Sequence, residues 1–307
     1  MKKRPLGEAS AGTRLRKDLD LYLMLLVGLA LLIVFKYVPM AGILIAFKDF
    51  DIFEGFSQSP WVGIANFREL FNTGEFLQVM KNTLLISLYK IIFFFPMPII
   101  LALCLNEITA LRYKRTLQTI VYLPHFISWV VVSGVVFDLL SSSGMINNLI
   151  YILGGERVRF LMDPSLFRSL VVASATWKEV GYSAIVYLAG IASIDPSLYE
   201  AAVMDGAGKA KQIRYITLPG LKPIIVIMLL LRVGTIMDAG SEQIMALYNP
   251  TVYETGDVIN TFTYRLGLTN MRYSFASAAG LFNSVISFLL VAASNAFCRR
   301  VFKRSLW

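Results

Sequence analysis

The sequence predicts an all-α integral membrane protein with about six transmembrane helices. Three observations carry this. First, 56% of the 307 residues are apolar and only 16% are charged, a balance too greasy for a soluble globule. Second, apolar runs recur at 21–47, 83–105, 116–140, 170–194, 223–238 and 276–297, and about 20 residues cross a bilayer as a helix. Third, lysine and arginine are unevenly shared among the connecting segments. Seventeen of the twenty-nine fall in the N-terminal tail, the loop after the second run, the loop before the fifth run and the C-terminal tail. Eight fall in the alternate loops, so the positive-inside rule places both termini in the cytoplasm. The net charge of +9 reflects this topology and gives no reason to invoke nucleic acid.

The first run is too long for a secretory signal and has no prompt cleavage site, so it reads as a retained span. It contains Lys36 and Pro39, which predict a bend or exit at its outer end, with Lys36 snorkelling. Trp61 with Phe53, Phe56 and Phe67 fits an outer interfacial segment. Pro96 and Pro98 punctuate the second run and Pro124 the entry to the third. These mark either bending points or fixed kinks. His125 reads as a polar residue near the cytoplasmic interface, and Asp138 as a helix-end residue at the outer one. The stretch 149–161, with Gly154 and Gly155, is an outer loop able to face a partner. The fifth run is short unless extended through Leu247, across Asp238 and Glu242. In the sixth, the small residues of 274–280 predict close helix packing.

Most chemistry is excluded. The chain has no Gly-x-x-x-x-Gly-Lys-Ser/Thr loop to cradle ATP. It has one histidine, no His-Glu-x-x-His and no Cys-x-x-Cys, so no resident metal or cofactor is expected. It is not read as an enzyme.

The loop between the fourth and fifth runs is the most informative segment. It is basic, broken by glycine, and flanked by spans, which predicts a helix, a glycine break and a second short helix. Asp195 is the expected N-cap and Pro196 the first helical residue. Leu198, Tyr199, Ala201 and Ala202 form a small apolar face, Gly206 and Gly208 end the first helix, and Pro219 stops the second. Such a surface element suits the docking of a soluble partner.

The spacing Glu200-Ala201-Ala202, three residues, Gly206, nine residues, Ile216, one residue, Leu218-Pro219 resembles the EAA loop of binding-protein-dependent ABC importer permeases at every fixed position. Trp177 and the stretch 188–199 resemble the carbohydrate branch. The stretches 35–39, 46–49, 122–129 and 248–250 resemble its polysaccharide-type subgroup. The resemblance implies a type I importer transmembrane fold, divided as tail 1–20, transmembrane domain 21–298 with coupling loop 196–222, and tail 299–307. It implies a second permease subunit, two ATPase subunits that hold ATP and magnesium, and an extracytoplasmic solute-binding protein delivering oligosaccharide. Glu200, Ala201, Ala202, Asp205, Gly206, Leu218 and Pro219 would couple to the ATPase. Large inserted domains of the maltose-type permease have no counterpart here.

The resemblance also places the cargo-facing wall at Ala175, Lys178, Glu179 and Tyr182 on the fourth span, and at Arg232, Ile236 and Ala239 on the fifth; Asp238 adjoins them. Lys178, Glu179 and Tyr182 share one helical face, as do Arg232 and Ile236. A charge inside a bilayer costs at least ~2.5–3.5 kcal/mol on insertion scales, so such residues face a cavity or each other. Two readings stand: the charges bind an acidic sugar such as a uronide, or they neutralise each other, Lys178 or Arg232 against Glu179 or Asp238. The alternatives to sugar import are another small solute in the same machine, or an ion-coupled secondary transporter or channel. The last predicts an inverted internal repeat, which the sequence does not display.

Overall fold

The computed structural model describes residues 19–302. The tail basic residues from Lys2 to Lys17, together with Lys303 and Arg304, lie outside them. The described chain is helical almost throughout; its one β feature is an isolated bridge between Lys48 and Trp61. Five helical segments are long and apolar enough to cross a membrane: Leu19–Phe47 (α1), Gly74–Glu107 (α2), Trp129–Ile152, Lys209–Gly234 (α8) and Tyr273–Arg300. The fourth predicted run forms a 29-residue helix, Pro164–Ala192 (α6). At about 1.5 Å per residue it is long enough to cross, but Lys178 and Glu179 lower its apolarity.

α1 buries no residue over Leu19–Leu32 and packs only where it tightens into a 3₁₀ turn at Ala41–Phe47, against the last helix. Its circumference is apolar all round, so lipid or another chain must cover it. The expected bend near Pro39 is this change of helix type. α2 runs through Pro96 and Pro98 without breaking because a π turn at Lys90–Phe94 precedes them. A π turn shifts the hydrogen-bond ladder by one residue, so the missing proline N–H groups leave less of it unmet.

The third run departs from expectation. Instead of one span over 116–140 it is Leu111–Tyr122 (α3), a 3₁₀ turn at Leu123–Phe126, and Trp129–Leu140 (α4), followed by Met145–Ile152 (α5). Pro124 ends the first piece, and Ser128 Oγ accepts from Val131 N–H to start the next. Asp138 sits in the last turn of α4, as expected.

α6 is the central helix, packed against α2, α3, α8 and the turn carrying His125. Ala102, Ala184, Tyr187, Ile191 and Leu221 form the core at one end of the bundle. At the other end Ile86, Phe167, Val171, Ile244 and Leu247 form a second. A third joins Leu70, Phe76, Ile259, Phe262 and Phe275. Ala278 and Ala279, from the small-residue run of the last helix, Tyr273–Phe302 (α10), are fully buried. That packing follows the sequence expectation.

Candidate functional site: a surface loop and a polar cavity joined by one helix

The loop after α6 begins as expected. Asp195 caps Pro196–Met204 (α7), its Oδ1 accepting from Ser197 N–H at 2.9 Å. Hydrogen bonds from the Ser197 backbone and side chain hold the Asp195 carboxyl below the usual carboxylate range. Gly206 ends the helix with φ of 70°, while Ala207 N–H donates to the Ala202 carbonyl at 2.8 Å and Gly206 N–H to that of Val203 at 3.0 Å. This is a glycine cap in which only a residue without Cβ avoids strain. Glu200, Ala201, Asp205, Gly206, Leu218 and Pro219 are exposed, and Ala202 is half-buried. Leu198, Val203, Met204 and Tyr215 add exposed apolar surface, with Met204 87% exposed.

Beyond Gly208 the structure corrects the sequence reading. The second short helix does not stop at Pro219. Lys209–Gln212 passes through a π turn at Ile213–Thr217 into Leu218–Gly234, so α8 is one helix from the loop into the membrane. Again a π turn immediately precedes the proline. Tyr199 Oη and Thr217 Oγ1 share a hydrogen bond at 2.9 Å, and Gln212 Nε2 donates to the Ala207 carbonyl at 2.9 Å. These bonds tie α7 to the base of α8.

α8 ends at Gly234, short of the expected 238, and the chain is irregular through 235–240 before Ser241–Leu247 (α9). Beside this break lies a polar cavity of about 210 Å³. Of the expected pathway residues, Glu179, Arg232, Ile236 and Asp238 line it, with Ala175 and Ala239. Lys178 and Tyr182 do not. Lys178 is 5% exposed; its Nζ donates to the His125 carbonyl at 2.8 Å and to Glu179 Oε1 at 3.2 Å. Tyr182 stacks on His125 with ring centroids 3.8 Å apart. His125 itself is no bystander at the interface, for its Nδ1 lies 2.7 Å from Glu179 Oε2.

The charges divide accordingly. Glu179 is paired with Lys178 and lies within hydrogen-bond distance of His125. Asp238 accepts from Ser241 Oγ at 2.6 Å and from Asn260 Nδ2 at 2.9 Å. Of the pairings weighed for these charges, Lys178 with Glu179 forms, whereas Arg232 makes no ion pair with Glu179 or Asp238 and is attracted by them only at longer range. Among the described residues neither Arg232 nor Lys90 forms an ion pair. The Arg232 guanidinium lies 5.3 Å from the centre of the Phe94 ring, at the cavity wall. The lining also includes Ser87, Lys90, Phe94, Trp129 and Gln243, none of which the sequence reading placed on the pathway. Ser87, Lys90 and Phe94 lie on α2, Trp129 opens α4 and Gln243 lies on α9, so the lining draws on more than the two spans that flank the loop. A larger groove of about 460 Å³ between α4 and α6 has no charged residue in its lining and lacks the convergent polar groups a sugar needs.

An all-helical membrane bundle, a glycine-capped surface loop and a polar cavity at a helix break together define a solute permease. The chain belongs to the family of binding-protein-dependent transport system inner membrane components, which matches residues 94–304. It is 42% identical over 281 residues to the polygalacturonan/rhamnogalacturonan transport system permease protein YteP of Bacillus subtilis (strain 168), covering 91% of this chain and 88% of that protein. To Protein LplB of the same organism it is 40% identical over 294 residues, 95% of this chain and 92% of that one. Among solved structures, it superposes on a chain of a bacterial alginate ABC transporter, crystallised in complex with an alginate pentasaccharide-bound periplasmic protein. The TM-score is 0.89 and the identity 43%, over 97% of this chain and 100% of that one. The fold is that of a type I ABC importer permease.

Proposed function

We propose that this chain is one permease subunit of an ATP-driven importer that carries oligosaccharides derived from acidic polysaccharides across the cytoplasmic membrane. The observation that carries the reading is Arg232, a cation at the wall of a polar cavity with no carboxylate in ion-pair contact, although Asp238 and Glu179 attract it from farther off. A charge-assisted hydrogen bond to a sugar carboxylate would supply that contact, at roughly 1.5–3 kcal/mol. The names of the relatives, which concern polygalacturonan, rhamnogalacturonan and alginate, support the same class of cargo. The chain supplies half the pathway and no covalent chemistry. A second permease completes the cavity, a solute-binding protein delivers cargo, and two ATPase subunits hold ATP and magnesium. Both termini and the loop 196–222 face the cytoplasm, and α7 seats in a cleft of the ATPase with Glu200, Ala201 and Ala202 at the contact. The domain division is the one read from the sequence.

The test is ATPase stimulation by loaded binding protein in the reconstituted complex, with oligogalacturonates and alginate oligosaccharides against neutral maltooligosaccharides. Stimulation by acidic chains, reduced in Arg232→Gln, is the expected result. Stimulation by neutral chains alone overturns the acidic cargo.

A further inference from the structure

The break after α8 leaves backbone groups open at the depth of the cavity. Irregular backbone inside a membrane persists only where protein or a water-filled cavity satisfies it. Here the partners come from α2. Ser87 Oγ donates to the Ile236 carbonyl, and Lys90 Nζ donates to the Ala239 carbonyl at 2.9 Å and to Gln243 Oε1 at 2.7 Å. Gln243 is itself fixed, its Nε2 donating to the Val171 carbonyl at 2.6 Å and to Ser174 Oγ at 2.8 Å on α6. One ammonium therefore ties α2 directly to the break and, through Gln243, to α6.

The backbone is shaped to receive it. Ala239 and Gly240 are both left-handed, with φ of 53° and 80°, and the first of these is costly for a residue with a Cβ. A Cβ at Gly240 would lie 2.4 Å from Lys90 Nζ, so the glycine supplies both the conformation and the space. Lys90 is 3% exposed. A buried ammonium is tolerated only when its donors are used, and two of its three bind the break and α9.

We propose that Lys90 is a positioning residue for translocation: it caps the break of the fifth span and so fixes the cavity wall that carries Ile236 and Asp238. Arg232 is then the cation left for cargo, a division that rests on the cavity being the sugar path. Lys90 acts through the backbone it holds.

The test uses the assembled importer with Cys104→Ser and Cys298→Ser, and Ile236→Cys as a reporter labelled by a charged methanethiosulfonate without nucleotide or sugar. Lys90→Met and Gly240→Ala should each change the labelling rate by roughly tenfold, the factor one charge-assisted hydrogen bond is worth. Ser87→Ala should shift it in the same direction and less. Unchanged rates in both principal variants overturn the proposal. So does a Lys90→Met that labels normally but loses only acidic cargo, which would make Lys90 a direct contact. If Lys90→Met does not assemble, Gly240→Ala decides alone. The labelling needs no cargo, so a wrong sugar class would appear in the ATPase assay and leave this result standing.

Discussion

The imidazole of His125 lies flat on the phenol ring of Tyr182, with planes 2° from parallel. This stack exists because the broken third span approaches α6 at Gly181, where a Cβ would lie 1.9 Å from the Val121 carbonyl oxygen. Both surfaces there are backbone and cannot yield as a side chain would. Gly181→Ala is expected to cost about 1–3 kcal/mol by overpacking and to part His125 from Glu179. Gly190→Ala is the control, since its Cβ meets only the side-chain ends of Ile224 and Leu221. Thermal unfolding of the purified complex should separate the two, with the larger drop at Gly181. Equal drops would refute this account of the stack.

At Gly206 the expected order of severity is set by conformation. A Cβ there meets nothing within 4 Å, so Gly206→Ala should suffer only left-handed strain, about 1–2 kcal/mol. Gly206→Pro demands the opposite sign of φ and deletes the N–H that bonds Val203. It should abolish co-purification of the ATPase while leaving membrane insertion intact. Ala202→Arg, placing a long cation on the docking helix, should do the same. Normal ATPase capture by Gly206→Pro would mean that the loop is a solvated turn.

Arg232→Gln and Tyr182→Ala should fail differently. The first removes a cavity cation, and uptake of oligogalacturonate should fall about tenfold or more while complex assembly holds. The second acts through His125 and the third-span turn, so it should depress transport of every cargo the complex accepts. Uptake assays with two sugars distinguish them, and identical profiles would place both residues in one role.

Cysteine labelling from outside the cell should tag sites at Ser57 and Asn270 but not at Lys209. The Lys209→Cys variant loses an ion pair with Glu107, at 3.2 Å, whose lysine is 73% exposed. Such a pair is worth under about 1 kcal/mol, so the variant should fold normally. External labelling at that position would invert the topology and remove the coupling role.

Hydropathy and charge bias made the helical membrane class legible, and the loop was legible down to its cap. Asp195, Pro196 and Gly206 act locally, through side chains and φ preferences that a sequence displays directly. The breaks were not legible in the same way. Pro124 ends a helix, whereas Pro96, Pro98 and Pro219 do not, because π turns upstream of the latter re-register the ladder. A π turn has no strong local signature. The cavity was half legible. Periodicity put Glu179 and Tyr182 on one face, but their separation came from His125, which covers one and pairs with the other. Lys90 and Gln243 meet across a sequence separation of 153, and no spacing rule reaches that far.

α8 has a mechanical consequence. Its 26 residues make a rod about 39 Å long, with the loop at one end and Arg232 at the other. A pivot of only about 5° at the loop would sweep the Arg232 end through roughly 3 Å, by simple leverage on that length. That is about the diameter of a water molecule, enough to make or sever a hydrogen bond. On the proposed function, movements too small to notice at the ATPase contact would thus arrive amplified beside the cavity.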